Sequence, residues 1–309
     1  MVTRMKLQEF DSLYDEVSNW GRWGPEDERG TLNFLTPAMI AKASKLVQTG
    51  TTVSMARPID TIASADNPSP AIHHMTRGYD IGTGEPDVQF VTDYLGCACH
   101  GCAHSHFDAL CHVAYRGKLY NGRPLSIVSS QGAKSMDITE YSHGIVGRGV
   151  LLDIPRFRNV RWLEPGDAVS AEELEAVERS EGVSLGEGDI FVFRVGHYKR
   201  RLELGAWDVE VEGRAGLHPT AMKLLRERKI AAFFPDGDGE VVPSPVESIT
   251  APVHALQIAS MGLACADSLQ LEELAQECER QKRWEFMAVV STLRLRGGTG
   301  SLVNPVAIF

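Results

Sequence analysis

The sequence predicts an α/β protein built on one mixed β-sheet. Three observations carry that expectation. Helical and strand signals interleave along the whole chain instead of falling into separate blocks. Gly149 to Ile154 and Asp189 to Val195 are short, nearly continuous apolar runs, the pattern of buried strands. No convincing linker divides the 309 residues, so a single domain over 1–309 is expected, with 1–50 as an N-terminal helical extension.

The elements follow in order. The first stretch, to about Trp23, reads as a helix and then a Gly/Trp-rich turn. Thr36-Pro37 opens a second helix, with Thr as the capping residue, Pro in the first turn and Gly50 beyond its end. Thr51 to Ala56 reads as a strand. Asp60 to Pro86 is rich in Pro, Gly, Ser and Asp and reads as a long loop, a class that often binds ligands or covers sites. His73 and His74 within it read as solvent-exposed. Ser170-Ala171-Glu172-Glu173 is a capping box opening a helix that stops near Gly182. Pro219 to Lys229 reads as a helix leading into strand Ile230 to Phe234, and Ser268 to Lys282 as an amphipathic helix. Glu285 to Leu293 and Leu302 to Phe309 read as closing strands.

Composition narrows the function. Hydrophobic residues make up 43% and charged residues 23%, ordinary for a soluble protein. A formal net charge of −10 repels phosphate backbones, so no nucleic-acid partner is expected. No apolar run approaches the roughly 20 residues of a bilayer span, and MVTRMKLQEFDSLYDEV lacks the apolar core of a signal peptide. These features predict a cytoplasmic protein with no membrane partner. There is no P-loop, no G-x-G-x-x-G after a strand and no G-x-S-x-G elbow. Asp236-Gly237-Asp238-Gly239-Glu240 lacks calcium-loop spacing and reads as a polar turn, with a place beside the site as the alternative. Gly297-Gly298-Thr299-Gly300 reads as a turn between strands.

The chemistry concentrates in His100 to His112, HGCAHSHFDALCH. Four of the six cysteines, Cys97, Cys99, Cys102 and Cys111, lie in or beside it, while Cys265 and Cys278 are distant. That clustering is unlike a disulfide framework. Taken as an extended strand, the segment puts His100, Cys102, His104, His106 and Asp108 on one face. Burying so many polar groups is costly unless a cation joins them, and imidazole and carboxylate suit Zn²⁺ or Mn²⁺. The competing readings are an exposed polar strand face and a zinc knuckle on Cys97, Cys99 and Cys102. The knuckle thiols would fall on opposite faces with no second knuckle to pair with.

Ser105-His106-Phe107-Asp108-Ala109-Leu110-Cys111-His112 resembles the signature of the cyclase family of metal-dependent hydrolases, H-x-G-T-H-x-D-x-P-x-H. The family includes bacterial-type kynurenine formamidases, isatin hydrolases and trans-dienelactone hydrolases. Trp20-Gly21-Arg22-Trp23-Gly24, Gly188-Asp189, Pro252-Val253-His254 and Gly297-Gly298-Thr299-Gly300 resemble its longer members. The resemblance implies the swivelling β/β/α sheet of that family, with His106 and Asp108 as metal ligands and His112 as proton shuttle. The family's first histidine ligand falls where Cys102 stands. His100 is the favoured replacement, with Cys102 and His104 as alternatives. The resemblance further implies His254 and Asp267 at a second metal, hence one or two ions, Mn or Zn. Trp20, Trp23 and Phe107 are candidate pocket residues, although packing is the simpler role for the two tryptophans.

The expected activity is opening of a small cyclic amide or lactone, or cleavage of an aryl formamide, by metal-activated water. The alternatives are a metal-dependent lyase or dehydratase on the same site and a non-enzymatic metal-binding protein, which needs a closed coordination shell. By resemblance, a homo-oligomer, dimer or tetramer, is expected.

Overall fold

A computed structural model of the chain describes residues 4–81 and 87–309. Residues 82–86, the last part of the loop read over Asp60 to Pro86, lie outside the described residues, as do residues 1–3. The strands of three or more residues are β1 (Thr52–Ser54), β2 (Ile72–Arg77), β3 (Thr92–Gly96), β4 (His106–Asp108), β5 (Ile145–Asp153), β6 (Ile190–Arg194), β7 (Ala232–Pro235), β8 (Ala264–Asp267), β9 (Glu285–Val290), β10 (Gly300–Leu302) and β11 (Val306–Ile308). Among the described residues, nine of them form one mixed sheet in the order β1-β11-β9-β5-β6-β7-β8-β4-β10. Its centre, β5 through β8, is parallel, and both flanks are antiparallel. This is the α/β mixed sheet that the interleaved signals predict.

The buried central strands send alternate residues to two cores. Ile190 and Val192 join Leu151, Phe234, Phe107 and Phe286 on one face. Phe191 and Phe193 join Val150, Leu152, Phe233 and Cys265 on the other. The second core is covered by helices α1 (Leu7–Glu16), α3 (Ala171–Glu181) and α4 (Met222–Glu227), through residues such as Phe10, Leu13, Leu174, Val177 and Leu225. The N-terminal helix is thus part of this core. The anticipated caps form: Thr36 Oγ1 accepts from Met39 N at the start of α2 (Pro37–Ala43), and Ser170 Oγ from Glu173 N. Gly182 ends α3 in the left-handed conformation.

Three segments differ from the sequence reading. Ile72–Arg77 is a strand paired antiparallel with Thr92–Gly96, not loop. Every residue of β2 is exposed, so no buried face imposes an apolar alternation that could reveal it. The helix expected from Ser268 begins at Glu272, because Ser268 takes a positive φ of 57° and the Gln270 side chain caps Glu272 and Glu273 N–H. The closing strand from Leu302 is split into β10 and β11, and Pro305, which has no N–H for a ladder, lies in the break.

At the end of α3, the Glu181 side chain is fully buried. Its Oε1 accepts from Asp153 N at 3.4 Å, and Oε2 has no partner among the described residues. Burial, reinforced by the Asp153 carboxylate, pushes its pKa up to about 8 from an ordinary 4.5. Between those values the folded state holds a proton that the unfolded chain has lost, so stability falls as pH rises through this window. Glu181→Gln removes that titration. It is expected to leave the melting temperature near wild type at pH 4.5 and to raise it at pH 9, by of the order of a few kcal/mol of stability. Thermal melts of both proteins across that pH range check this, and parallel curves would refute it.

Candidate metal centre

Strand β4 places the first two site residues. It lies between β8 and β10, both antiparallel to it, with Asp108 opposite Cys265 and Gly300, and His106 opposite Asp267 and Leu302. Alternation sends Phe107 into the first core and turns His106, Asp108, Cys265 and Asp267 to the other face. His254 approaches that face from the short helix Pro252–His254, which continues as a π-helix over Ala255–Met261. Gly262 ends it with φ +62°, where a Cβ would meet the Tyr120 ring at 2.5 Å.

These side chains form two triads that share Asp108: His100, His106 and Asp108, then Asp108, His254 and Asp267. In each triad the potential ligand atoms lie within 4.8 Å of one another. His100 Nδ1 is 3.0 Å and His106 Nε2 3.6 Å from Asp108 Oδ1. His254 Nε2 is 3.9 Å from Asp108 Oδ2 and 3.1 Å from Asp267 Oδ2. His106, Asp108 and Asp267 are buried.

Outer acceptors orient the rings. His106 Nδ1 faces the His104 carbonyl at 2.9 Å, which leaves Nε2 for the cluster. His254 Nδ1 faces Glu240 Oε1 at 3.0 Å, and the same carboxylate accepts from His254 N and Val253 N. Glu240 is wholly buried. Its part in the site was open in the sequence as the alternative to a polar turn, and the Val241-Val242 run behind it is the one signal that it points inward. His100 Nε2 faces Thr299 Oγ1 at 3.0 Å.

The arrangement fits a divalent cation. Asp108 Oδ1 and His100 Nδ1 are buried, 3.0 Å apart, and lack the alignment of a hydrogen bond with any described group. A buried carboxylate oxygen and an imidazole nitrogen this close, with no aligned hydrogen bond between them, are what a shared cation accommodates. The electrostatics agree. Burial works to lower the His100 pKa, yet Asp108 and the Cys99 thiol hold it at about 10. Burial likewise opposes the charge on His254, and Asp267 and Glu240 outweigh it. Burial tends to raise Asp108, but the close His100 ring and the fields of His106, His112 and His254 pull it well below the carboxylate range. Asp267, by contrast, is raised by burial, which its His254 partner only partly offsets. A pocket that draws protons onto imidazoles takes a dication in their place.

His112 stacks on His100, with centroids 3.7 Å apart and planes 6° apart, and its outer face is exposed. Loss of hydration lowers its pKa, as do the neighbouring imidazoles, while Asp108 acts the other way. A cavity of about 520 Å³ opens beside His100, lined by Asp66, Asn67, Cys102, Asp208 and Glu210 among others. Part of the long loop read after Asp60 therefore walls it.

Several expectations are corrected. The segment from Cys99 is not one extended strand: only His106–Asp108 is, and the chain before it bends, with φ +123° at Gly101. The common face assigned to His100 through Asp108 therefore breaks down. His104 turns away, its Nε2 on Asp60 O at 3.1 Å and its Nδ1 on Cys97 Sγ at 3.5 Å. Neither His104 nor Cys102 belongs to a triad. Phe107 is wholly buried between Tyr141 and Phe234, so it cannot line a pocket. Trp20 packs edge-on to Tyr14 and donates to Ala259 O, and Trp23 packs on Phe34. Neither lines the cavity beside His100.

Glu240→Gln puts an amide N–H among three N–H donors. It is expected to weaken metal binding about tenfold while the fold persists. Mn²⁺ titration with circular dichroism checks this, and unchanged affinity would deny Glu240 an orienting role.

Residues 79–239 match the model of the Cyclase family. A crystal structure described as that of a novel cyclase is 30% identical, with a TM-score of 0.86 over 96% of this chain and 99% of that one. An isatin hydrolase bound to the product analogue thioisatinate is 18% identical, with a TM-score of 0.57 over 87% and 95% of the two chains. Isatin hydrolase A from Labrenzia aggregata, bound to benzyl benzoate, is 21% identical, with a TM-score of 0.56 over 86% and 94%. No curated protein matches the chain.

Proposed function

The chain belongs to the cyclase family, and from that premise we propose that it is a metal-dependent hydrolase of small-molecule substrates. The observation that carries the reading is Asp108, a buried carboxylate whose two oxygens face two different sets of imidazole and carboxylate donors. His100 and His106 would hold one ion with Asp108, and His254 and Asp267, again with Asp108, would hold a second. A set of nitrogen and oxygen donors suits Mn²⁺ or Zn²⁺. A cation bound there supplies a lowered pKa for water and polarisation of a carbonyl oxygen.

The protein's own groups do the rest. His112 has an exposed face beside the cluster, and its lowered pKa leaves the ring neutral at pH 7. A neutral imidazole there takes a proton from the attacking water and returns it to the departing nitrogen or oxygen. The stack on His100 fixes the plane of the ring, so the proton moves along a set direction. The substrate is a small cyclic amide or lactone, or an aryl formamide. Two observations support this class: the fold is shared with isatin hydrolases, and a cavity of about 520 Å³ is of the size that binds small molecules. The reading extends to a homo-oligomer, dimer or tetramer, supported by Ile72, Met75, Tyr94 and Leu95, which the β2–β3 hairpin leaves exposed.

Elemental analysis of the purified protein is expected to give stoichiometric Mn or Zn, lost in His106→Ala and in Asp108→Ala. His112→Ala is expected to keep its metal and lose about 100-fold or more in kcat on a lactone, cyclic amide or formamide substrate. Metal unchanged in both ligand variants would sink the proposal, and a wild-type kcat in His112→Ala would remove that residue from the mechanism.

A further inference from the structure

The sequence reads Gly297-Gly298-Thr299-Gly300 as a turn, yet its backbone is fastened at every step. Gly297 N donates to Asp137 Oδ2 at 2.6 Å, and Gly297 O accepts from Ala133 N at 3.0 Å. Gly298 O accepts from Ile138 N at 2.9 Å, and Thr299 O from Ala109 N at 2.9 Å. Gly300 then pairs with Asp108 across β10 and β4. A loop held this closely presents the Thr299 hydroxyl in one place, 3.0 Å from His100 Nε2.

Gly300 makes the room. A Cβ on it would stand 2.6 Å from His100 Cε1, 2.9 Å from His100 Nε2 and 2.9 Å from the Phe107 carbonyl oxygen. A swing of the imidazole relieves the first two contacts but not the third, which is backbone in the adjoining strand. The His100 ring therefore lies in a slot closed by strand β4, Gly300 and the stacked His112.

We infer that Thr299 is a positioning residue that fixes His100 as the first metal ligand through Nδ1, with Gly300 as the gap that admits the ring. This inference rests on the reading of the cluster as a metal centre. Occupation of Nε2 by the hydroxyl leaves Nδ1 as the nitrogen that faces Asp108. That nitrogen is the one 3.0 Å from Asp108 Oδ1. The other two histidines of the triads are treated alike, with one nitrogen on a protein acceptor and the other on the cluster. The Thr299 contact also explains how a histidine on a bent segment, six residues before His106, takes the place of one nearer to it in sequence. The ring is selected by its seat on β10 and not by strand alternation.

The test is Mn²⁺ binding, read from the electron paramagnetic resonance signal of free Mn²⁺ during titration. Wild type, Thr299→Val, Thr299→Ser, His100→Ala and the Thr299→Val/His100→Ala double variant are compared. Thr299→Val keeps the shape and removes the hydroxyl, and is expected to weaken binding about tenfold. Thr299→Ser restores the hydroxyl and is expected to restore affinity. In the His100→Ala background the valine change is expected to have no further effect, because the ring it positions is gone. Affinity of Thr299→Val equal to wild type, or an equal loss with and without His100, would overturn the inference. A wild type that binds no Mn²⁺, even after reconstitution, would overturn the metal-centre reading and this inference with it. Binding in the wild type without the valine effect overturns the seat alone.

Discussion

Everything near the site depends on burying the Asp108 carboxylate. An isolated ionised carboxyl inside a protein is strongly disfavoured unless charge and hydrogen bonds meet it. Asp108 is 2% exposed and faces His100, His106 and His254. Those imidazoles reach it from a bent loop, from its own strand and from a short helix. Two further buried acids, Asp267 and Glu240, then face His254 from opposite sides. The sheet register makes the convergence reproducible, since β4 is ladder-bonded on both edges and cannot slip against β8 or β10 independently. Strand alternation does the sorting: Phe107 anchors the strand in the first core while its neighbours on either side face the candidate metal centre.

Around this rigid part the loop that carries His100 needs its own anchors. Buried Arg57 supplies one set, donating from its guanidinium to the carbonyls of Cys102, Leu269 and Asp236. Ser105 supplies another, accepting from Arg57 N and donating to Ser268 O. Together they fasten the bend before β4 to the segment after β8. Loss of hydration depresses the Arg57 pKa to about 10, with Asp236 the chief opposing field. The side chain therefore remains a cation at neutral pH, and its bonds to carbonyls are charge-assisted.

The sequence exposed the centre of the site and blurred its edges, for identifiable reasons. His106 and Asp108 were legible because two residues of spacing on a strand mean one face, and the strand is real where they sit. The α/β class was legible because buried strands such as Ile190–Arg194 are apolar up to their last residue. Alternation failed for His104 and Cys102 because the backbone upstream of Ser105 is bent, and a positive φ at Gly101 is invisible to a period count. The β2–β3 hairpin escaped notice because neither of its faces is buried in this chain. The contacts of Glu240 and Thr299 with the site histidines escaped notice for a deeper reason. Each acts on a histidine distant in sequence, Thr299 by 199 positions, and local patterning carries no record of such partnerships.

The second nitrogens of the three histidines are held by three different kinds of acceptor. His254 faces the Glu240 carboxylate, His106 a backbone carbonyl and His100 a hydroxyl. A carboxylate raises the basicity of an imidazole ligand more than a neutral oxygen does. Burial sets His100 apart, its side chain 28% exposed against 13% for His254 and 5% for His106. On the proposed reading, the triad of Asp108, His254 and Asp267 is then the deep and strongly held half of the centre. The triad containing His100 is the half that meets the cavity and the exposed face of His112. On that reading a substrate carbonyl entering by that cavity would reach the His100 half first, beside the ring assigned to proton transfer. Division of labour between the halves thus follows from the acceptor behind each histidine and from which of them solvent can touch.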